Sequence, residues 1–354
     1  MNAHPLAIIE DTGVPAGGAD SHKVLILIHG WGFQSSVFTR MAPFAQSYNA
    51  RLILVNRREY PGTDPFTKDE RDLLLEAQQT DEVGAAAAKD VWTARGEEVL
   101  TLLESIVQQG GVPERSIILA GWSYAGLWMT SLLSLPPAVA NRHDVGRYIR
   151  RIICYDTSYR RLGFPDPAPS MFSPFTDKSI APEDIRDAFI HWITGYYSHT
   201  IPRTPGVHAR SIVDGLEQRN VKKRTLFTDD ELRTVVVDAP ADVPSGGPDV
   251  LASVAAGKHG IPAMNLDAAL HSKHCSHVEL RQVWGDASFW EACVGGVEVA
   301  RLVHEDGKLP KGKLGRPVSS VRWIGANHFA HWNYPERTLQ GLLEDDVEDW
   351  VITS

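Results

Sequence analysis

Ser116-Ile117-Ile118-Leu119-Ala120-Gly121-Trp122-Ser123-Tyr124-Ala125-Gly126 runs from a short apolar segment straight into a helical pattern that lasts to about Leu135. The apolar segment reads as a strand buried on both faces. Between strand and helix there is room only for a tight turn, and the residue at its apex is Ser123. A turn this sharp holds its central residue in a strained conformation, so the positions two residues away on either side must be small. Gly121 and Ala125 meet that demand, and Ser123 is therefore read as an exposed nucleophile at the end of a strand.

Working outward, Leu6 to Glu10, Lys23 to His29 and Arg51 to Asn56 are short aliphatic runs bounded by Gly, Pro and Asp, as buried strands are. Apolar residues recur at helical spacing from about Ala85 to Gln109 and stop at Gly110-Gly111. Tyr148 to Tyr155 reads as the strand after the Ser123 helix. Strands alternating with helices imply a parallel sheet covered on both faces. The rhythm breaks near Gly163, where Pro165, Pro167, Pro169 and Pro174 crowd together, and resumes with strands at Val278 to Trp284 and Val318 to Ile324. Residues 1–163 and 278–354 thus form one core, and 164–277 an insertion. Within the insertion, Phe189, Trp192, Tyr196 and Tyr197 fall on one face of a helix expected after Pro182, and Asp238 to Gly257 reads as a loop.

Two further segments carry chemistry. Val24 to Ile28 ends in His29-Gly30-Trp31-Gly32, a glycine-rich turn able to aim backbone N–H groups outward. The amide of Trp31 and that of Tyr124 are the expected pair of donors for an oxyanion. Near the C-terminus, Gly325-Ala326-Asn327-His328 follows a strand, in the order serine then histidine that such a nucleophile requires. His328 is the expected base, and His331 is its rival.

These three motifs, with Trp332 and Pro335-Glu336, resemble the α/β-hydrolase fold superfamily over residues 6–163 and 278–354. The resemblance implies a mostly parallel central sheet of about eight strands with flanking helices. It also implies a largely helical cap inserted after the strand that follows the nucleophile helix, and a Ser-His-acid triad. In many relatives the acid stands three residues after a glycine beyond the penultimate strand, but Gly285-Asp286-Ala287-Ser288 has serine there. The superfamily's other position is the end of the strand after the nucleophile helix, which Ile152-Ile153-Cys154-Tyr155-Asp156 closes with aspartate. Asp156 is the expected acid and Asp286 the alternative. The turn Asn56-Arg57-Arg58-Glu59-Tyr60-Pro61-Gly62 departs from the Asp-x-Arg-Gly of relatives. A serine rather than an aspartate nucleophile favours acyl transfer to water over epoxide opening or dehalogenation.

The expected substrate is a small or medium apolar ester or lactone, held by a pocket including Gly30, Trp122, Trp192 and Tyr196. Carbon–carbon bond hydrolysis with the same triad, or ligand binding without turnover, are the alternatives. The 354 residues carry 35 Lys and Arg against 44 Asp and Glu, a net charge of −9 that repels a phosphate backbone. Arg57-Arg58, Arg150-Arg151, Arg160-Arg161 and Lys222-Lys223-Arg224 are scattered and are read as solvated, so no nucleic-acid partner is expected. No run approaches the ~20 residues that span a bilayer. Without a signal-like leader or a glycosylation site, and with only three cysteines, a cytoplasmic protein is expected. No dinucleotide or phosphate-loop fingerprint occurs, so no cofactor is expected. His271, His274, Cys275 and His277 lack a second cysteine or carboxylate pair at zinc-site spacing and are read as a linker from cap to core, not a metal site. Oligomeric state is left open.

Overall fold

The computed structural model describes residues 5–352 except 19, 20, 141, 220, 222, 244, 310 and 311, so Lys222 lies outside the described residues. Its strands are β1 (Ala7–Asp11), β2 (Lys23–Ile28), β3 (Ala50–Asn56), β4 (Ile117–Trp122), β5 (Ile149–Tyr155), β6 (Glu279–Gly285), β7 (Val318–Ile324) and β8 (Trp350–Val351). They form one eight-stranded sheet in the order β1-β3-β2-β4-β5-β6-β7-β8. All pairings are parallel except that of β1, which runs antiparallel to β3 at the edge. The inner strands are aliphatic and buried throughout because helices cover both faces. Along β2, Leu25 and Leu27 enter the core on one face, while Val24, Ile26 and Ile28 enter the core on the other. β7 alternates buried and half-buried residues, as a strand near the edge should.

Parallel strands all end on the same side of a sheet, and that is what assembles a site here. The segments carrying Gly30, Ser123, Asp156, Asp286 and His328 follow β2, β4, β5, β6 and β7 and emerge at one carboxyl edge. Helix Glu82–Gln108 starts where Asp81 accepts a hydrogen bond from the Gly84 amide at 3.0 Å. With helix Gly126–Ser134 it covers one face.

Residues 164–277 contain helix Ile185–Ile193, a two-stranded ribbon of Gly195–Tyr196 with Lys223–Arg224, and helices Asp229–Val235, Pro248–Lys258 and Ile261–His271. Two expectations need correction. Tyr196 and Tyr197 are not on the aromatic helix: Thr194 follows its last residue, turns its hydroxyl back to the Ile190 carbonyl at 2.7 Å, and Gly195 begins the ribbon. The expected loop Asp238 to Gly257 contains most of a helix, because Gly247 and Pro248 start it and the run Val250 to Ala256 favours helix once packed. This helix lies against Glu82–Gln108, and Ile261–His271 packs on Gly126–Ser134. Among the described residues no helix is long and apolar enough to cross a membrane, and no group of three or more His, Cys, Asp or Glu is placed to hold a metal ion.

Candidate active site

Ser123 has φ +57°, a left-handed backbone conformation rare for a residue with a Cβ, at the junction of β4 and the helix beginning at Gly126. The small neighbours are required for packing: a Cβ on Gly121 would stand 2.5 Å from the Ala125 carbonyl oxygen. The turn after β2 passes close by, since a Cβ on Gly30 would lie 2.9 Å from that of Ser123. Tyr124 sits in the first turn of its helix, where backbone N–H groups have no intrahelical acceptor. Among the described residues no acceptor takes the Trp31 N–H.

Asp156, just past β5, also has positive φ (+50°). Its carboxylate is 1% exposed and accepts from the Gly285 N–H at 2.9 Å and from Ser288 Oγ at 2.5 Å. His328 Nδ1 stands 2.6 Å from Asp156 Oδ2. A carboxylate only accepts, so Nδ1 carries the proton and Nε2 is left as the basic nitrogen. The imidazole is stacked on Trp122 with centroids 4.6 Å apart and meets Phe289 edge-on at 4.8 Å. Ser123 Oγ and His328 share no hydrogen bond in this conformation.

Asp286 is elsewhere: its carboxylate pairs with Arg322 at 3.0 Å and accepts from the Gly325 N–H at 2.7 Å. It thus braces the loop leading to His328 from behind. His331 is fully buried, with Nδ1 3.2 Å from the Tyr155 hydroxyl, and burial followed by the nearby His328 charge holds its pKa well below the usual imidazole value.

A cavity of about 630 Å³ opens over Ser123, walled by Trp31, Tyr124, Phe175, Phe189, Trp192 and Phe289 on its aromatic side and by Arg160, Arg161 and Glu291 on its polar side. Of the four residues expected to line a pocket, Trp192 does. Gly30 backs onto Ser123 rather than facing the cavity. Trp122 points beneath the site into Phe33 and Phe38, with its indole N–H on the His328 carbonyl at 3.1 Å. Tyr196, displaced from the helix, instead accepts from Asn333 at 2.8 Å.

Of the basic residues read as solvated, Arg160, Lys223 and Arg224 are exposed, but Arg57 and Arg151 are buried. Arg57 is 1% exposed; its guanidinium makes two 2.8 Å hydrogen bonds to Asp249 and donates to the carbonyls of His29 and Gly30 at 3.1 and 2.8 Å. Burial opposes its charge, but Asp249 more than offsets this, and its pKa is raised. Tyr60 also donates to Asp249 at 2.9 Å, and Tyr124 donates to the Asp249 carbonyl at 3.1 Å. His29 is kept neutral by burial and by the Arg57 charge, and its Nε2 accepts the Arg57 N–H at 2.9 Å. Nothing local in the sequence marks Asp249 as the partner of a residue 192 positions earlier. Ser288, by contrast, is visible in the sequence as the serine at the usual acid position, though its hydrogen bond to Asp156 is not.

A family model described as the Alpha/beta hydrolase family matches residues 25–340. Solved structures of similar fold include a bromoperoxidase from Bacillus anthracis (16% identity over 95% of this chain and 94% of that one, TM-score 0.45). An epoxide hydrolase from an endophytic Streptomyces is 13% identical over 92% and 88%, with TM-score 0.47. The esterase EaEST from Exiguobacterium antarcticum is 13% identical over 96% and 94%, with TM-score 0.44. No curated protein sequence matches the chain.

Proposed function

Because the chain belongs to the alpha/beta hydrolase family, and is a hydrolase by that membership, we propose that it cleaves a carboxylic ester or lactone through an acyl-enzyme on Ser123. Ser123 Oγ attacks the carbonyl carbon while His328 Nε2 takes its proton. The oxyanion that forms accepts hydrogen bonds from the Trp31 and Tyr124 amides. As the tetrahedral intermediate collapses, His328 gives the proton to the departing alkoxide. Water then repeats the sequence on the acyl-enzyme, releasing the acid and restoring Ser123. Asp156 fixes the imidazole tautomer and stabilises the imidazolium. Segment 164–277 is the cap, roofing the cavity with Phe175, Phe189 and Trp192. The three free cysteines fit work in the cytoplasm.

The observation that carries this reading is the strained Ser123 opening onto a large cavity, with a histidine and buried aspartate 2.6 Å apart delivered to the same sheet edge. A fluorophosphonate probe with peptide mapping tests it. Labelling should fall on Ser123 alone, vanish in Ser123→Ala and slow by at least about a thousandfold in His328→Ala. Labelling at another residue, or undiminished labelling in His328→Ala, would refute the assignment.

A further inference from the structure

Arg161 lies six residues beyond the end of β5, at the carboxyl edge of the sheet, and lines the Ser123 cavity. Its guanidinium carbon sits 4.8 Å above the Tyr124 ring, and so beside the residue that follows the nucleophile. The carboxylates around it are taken by others. Asp249 is held by Arg57 through two hydrogen bonds, while Glu291 and Asp166 lie 3.3 and 3.0 Å from Arg160. Among the described residues no carboxylate comes within 4.0 Å of Arg161, and its one side-chain hydrogen bond runs from Nη2 to Ser253 Oγ on helix Pro248–Lys258, at 2.5 Å. Burial pulls its pKa down, although an arginine stays protonated at any ordinary pH. A guanidinium has five N–H donors in a planar fork, and this one commits a single donor to a neutral partner in a cavity whose other wall is aromatic.

We propose that Arg161 is the anchor for a carboxylate on the substrate, so that the ester cleaved at Ser123 carries an acidic group at the end of an apolar or aromatic body. This rests on the hydrolase reading above. The apolar body would lie along Trp31, Phe175, Phe189 and Trp192. The carboxylate would meet an adjacent pair among the four N–H groups left uncommitted, either those of Nε and Nη2 or those of Nη1 and Nη2, and Ser253 would hold the guanidinium in place. Arg160, which shares Glu291 and Asp166, is already neutralised and does not compete.

The test compares matched substrates and matched ligands. The p-nitrophenyl monoester of glutaric acid and p-nitrophenyl pentanoate differ chiefly in a carboxylate replacing a methyl, and the corresponding anilides serve as ligands that are not turned over. The parent protein should favour the glutarate ester in kcat/KM by about tenfold to a hundredfold, mostly through KM, as expected for a charged hydrogen bond. Arg161→Gln should collapse the ratio between the two esters towards one, and Arg161→Lys, which keeps the charge and loses the fork, should retain part of it. Calorimetric titration of Ser123→Ala with the two anilides should give the same preference without any turnover. Equal binding of the two anilides, or a preference unchanged in Arg161→Gln, would overturn the proposal. If neither ester is cleaved and Ser123 does not label, the hydrolase reading fails, while the anilide preference still decides the role of Arg161. If Arg161→Gln does not fold, the Arg161→Lys ratio and the loss of preference with added salt decide it.

Discussion

Asp156 and Asp286 differ in what each could do for a histidine. Asp156 approaches Nδ1 at 2.6 Å and is held by two further donors, Gly285 N–H and Ser288 Oγ. Asp286 spends its charge on Arg322. Asp156→Asn should therefore leave the backbone in place while presenting an amide that no longer fixes the tautomer, lowering kcat by about 10³ to 10⁴. Asp286→Asn should lower it by less than about tenfold, through the Gly325 loop only. Steady-state hydrolysis of a p-nitrophenyl ester by both variants reads this directly, and equal losses would show that the acid is not Asp156. The sequence left both aspartates in play because their roles depend on what faces them. The strand-end position of Asp156 is visible in the chain, but the pairing of Asp286 with Arg322 depends on register across β6 and β7, where Trp284 stands beside Arg322.

At the scale of elements, helix Pro248–Lys258 is tied to the turn after β3 through the pair Arg57–Asp249. The two side chains are 2% and 8% exposed and lie 2.8 Å apart. Removing either partner leaves the other charge buried and unmatched, so Asp249→Asn or Arg57→Met should cost about 3–5 kcal/mol in urea unfolding. The double variant Arg57→Met/Asp249→Leu should recover much of that loss. Additive losses would mean that the pair is not coupled. Because Arg57 also holds the His29 and Gly30 carbonyls, the Met variant should slow acylation as well as destabilise the chain. Short aliphatic runs and helical period were enough to read β2, β4, β5 and β7 to within two residues and the long helix to within three. They failed over residues 164–277 for physical reasons. Residues Val250 to Ala256 form a helix only with a core to pack against, and a ribbon of two-residue strands at Gly195–Tyr196 is too short to have a period. Arg57 looked like a surface residue because its charge is matched by an aspartate far along the chain.

Across the whole molecule, burial of histidine sets part of the dependence of stability on pH. His29 and His331 are each 0% exposed, and burial, aided by Arg57 for the first and His328 for the second, holds both pKa values well below 6.5. Above pH 6.5 both folded and unfolded chains carry these rings neutral, so they add no pH dependence. Below it the unfolded chain takes up protons that the native state refuses, and stability falls as pH falls towards the folded pKa values. Both rings therefore work against the fold as the pH drops below 6.5. Glu98 and Glu291 oppose this, since burial raises their pKa values and lets the folded state accept protons first. The clean readout is therefore a difference between two proteins. Urea unfolding of the parent and of His331→Asn at pH 7.5 and 5.5 should show the variant losing less stability than the parent between the two pH values, whatever its absolute stability. Parallel pH profiles for the two would mean that His331 titrates in the folded protein much as it does in the unfolded chain, and that the cage of Trp122, Phe38 and Phe329 around it admits a charge.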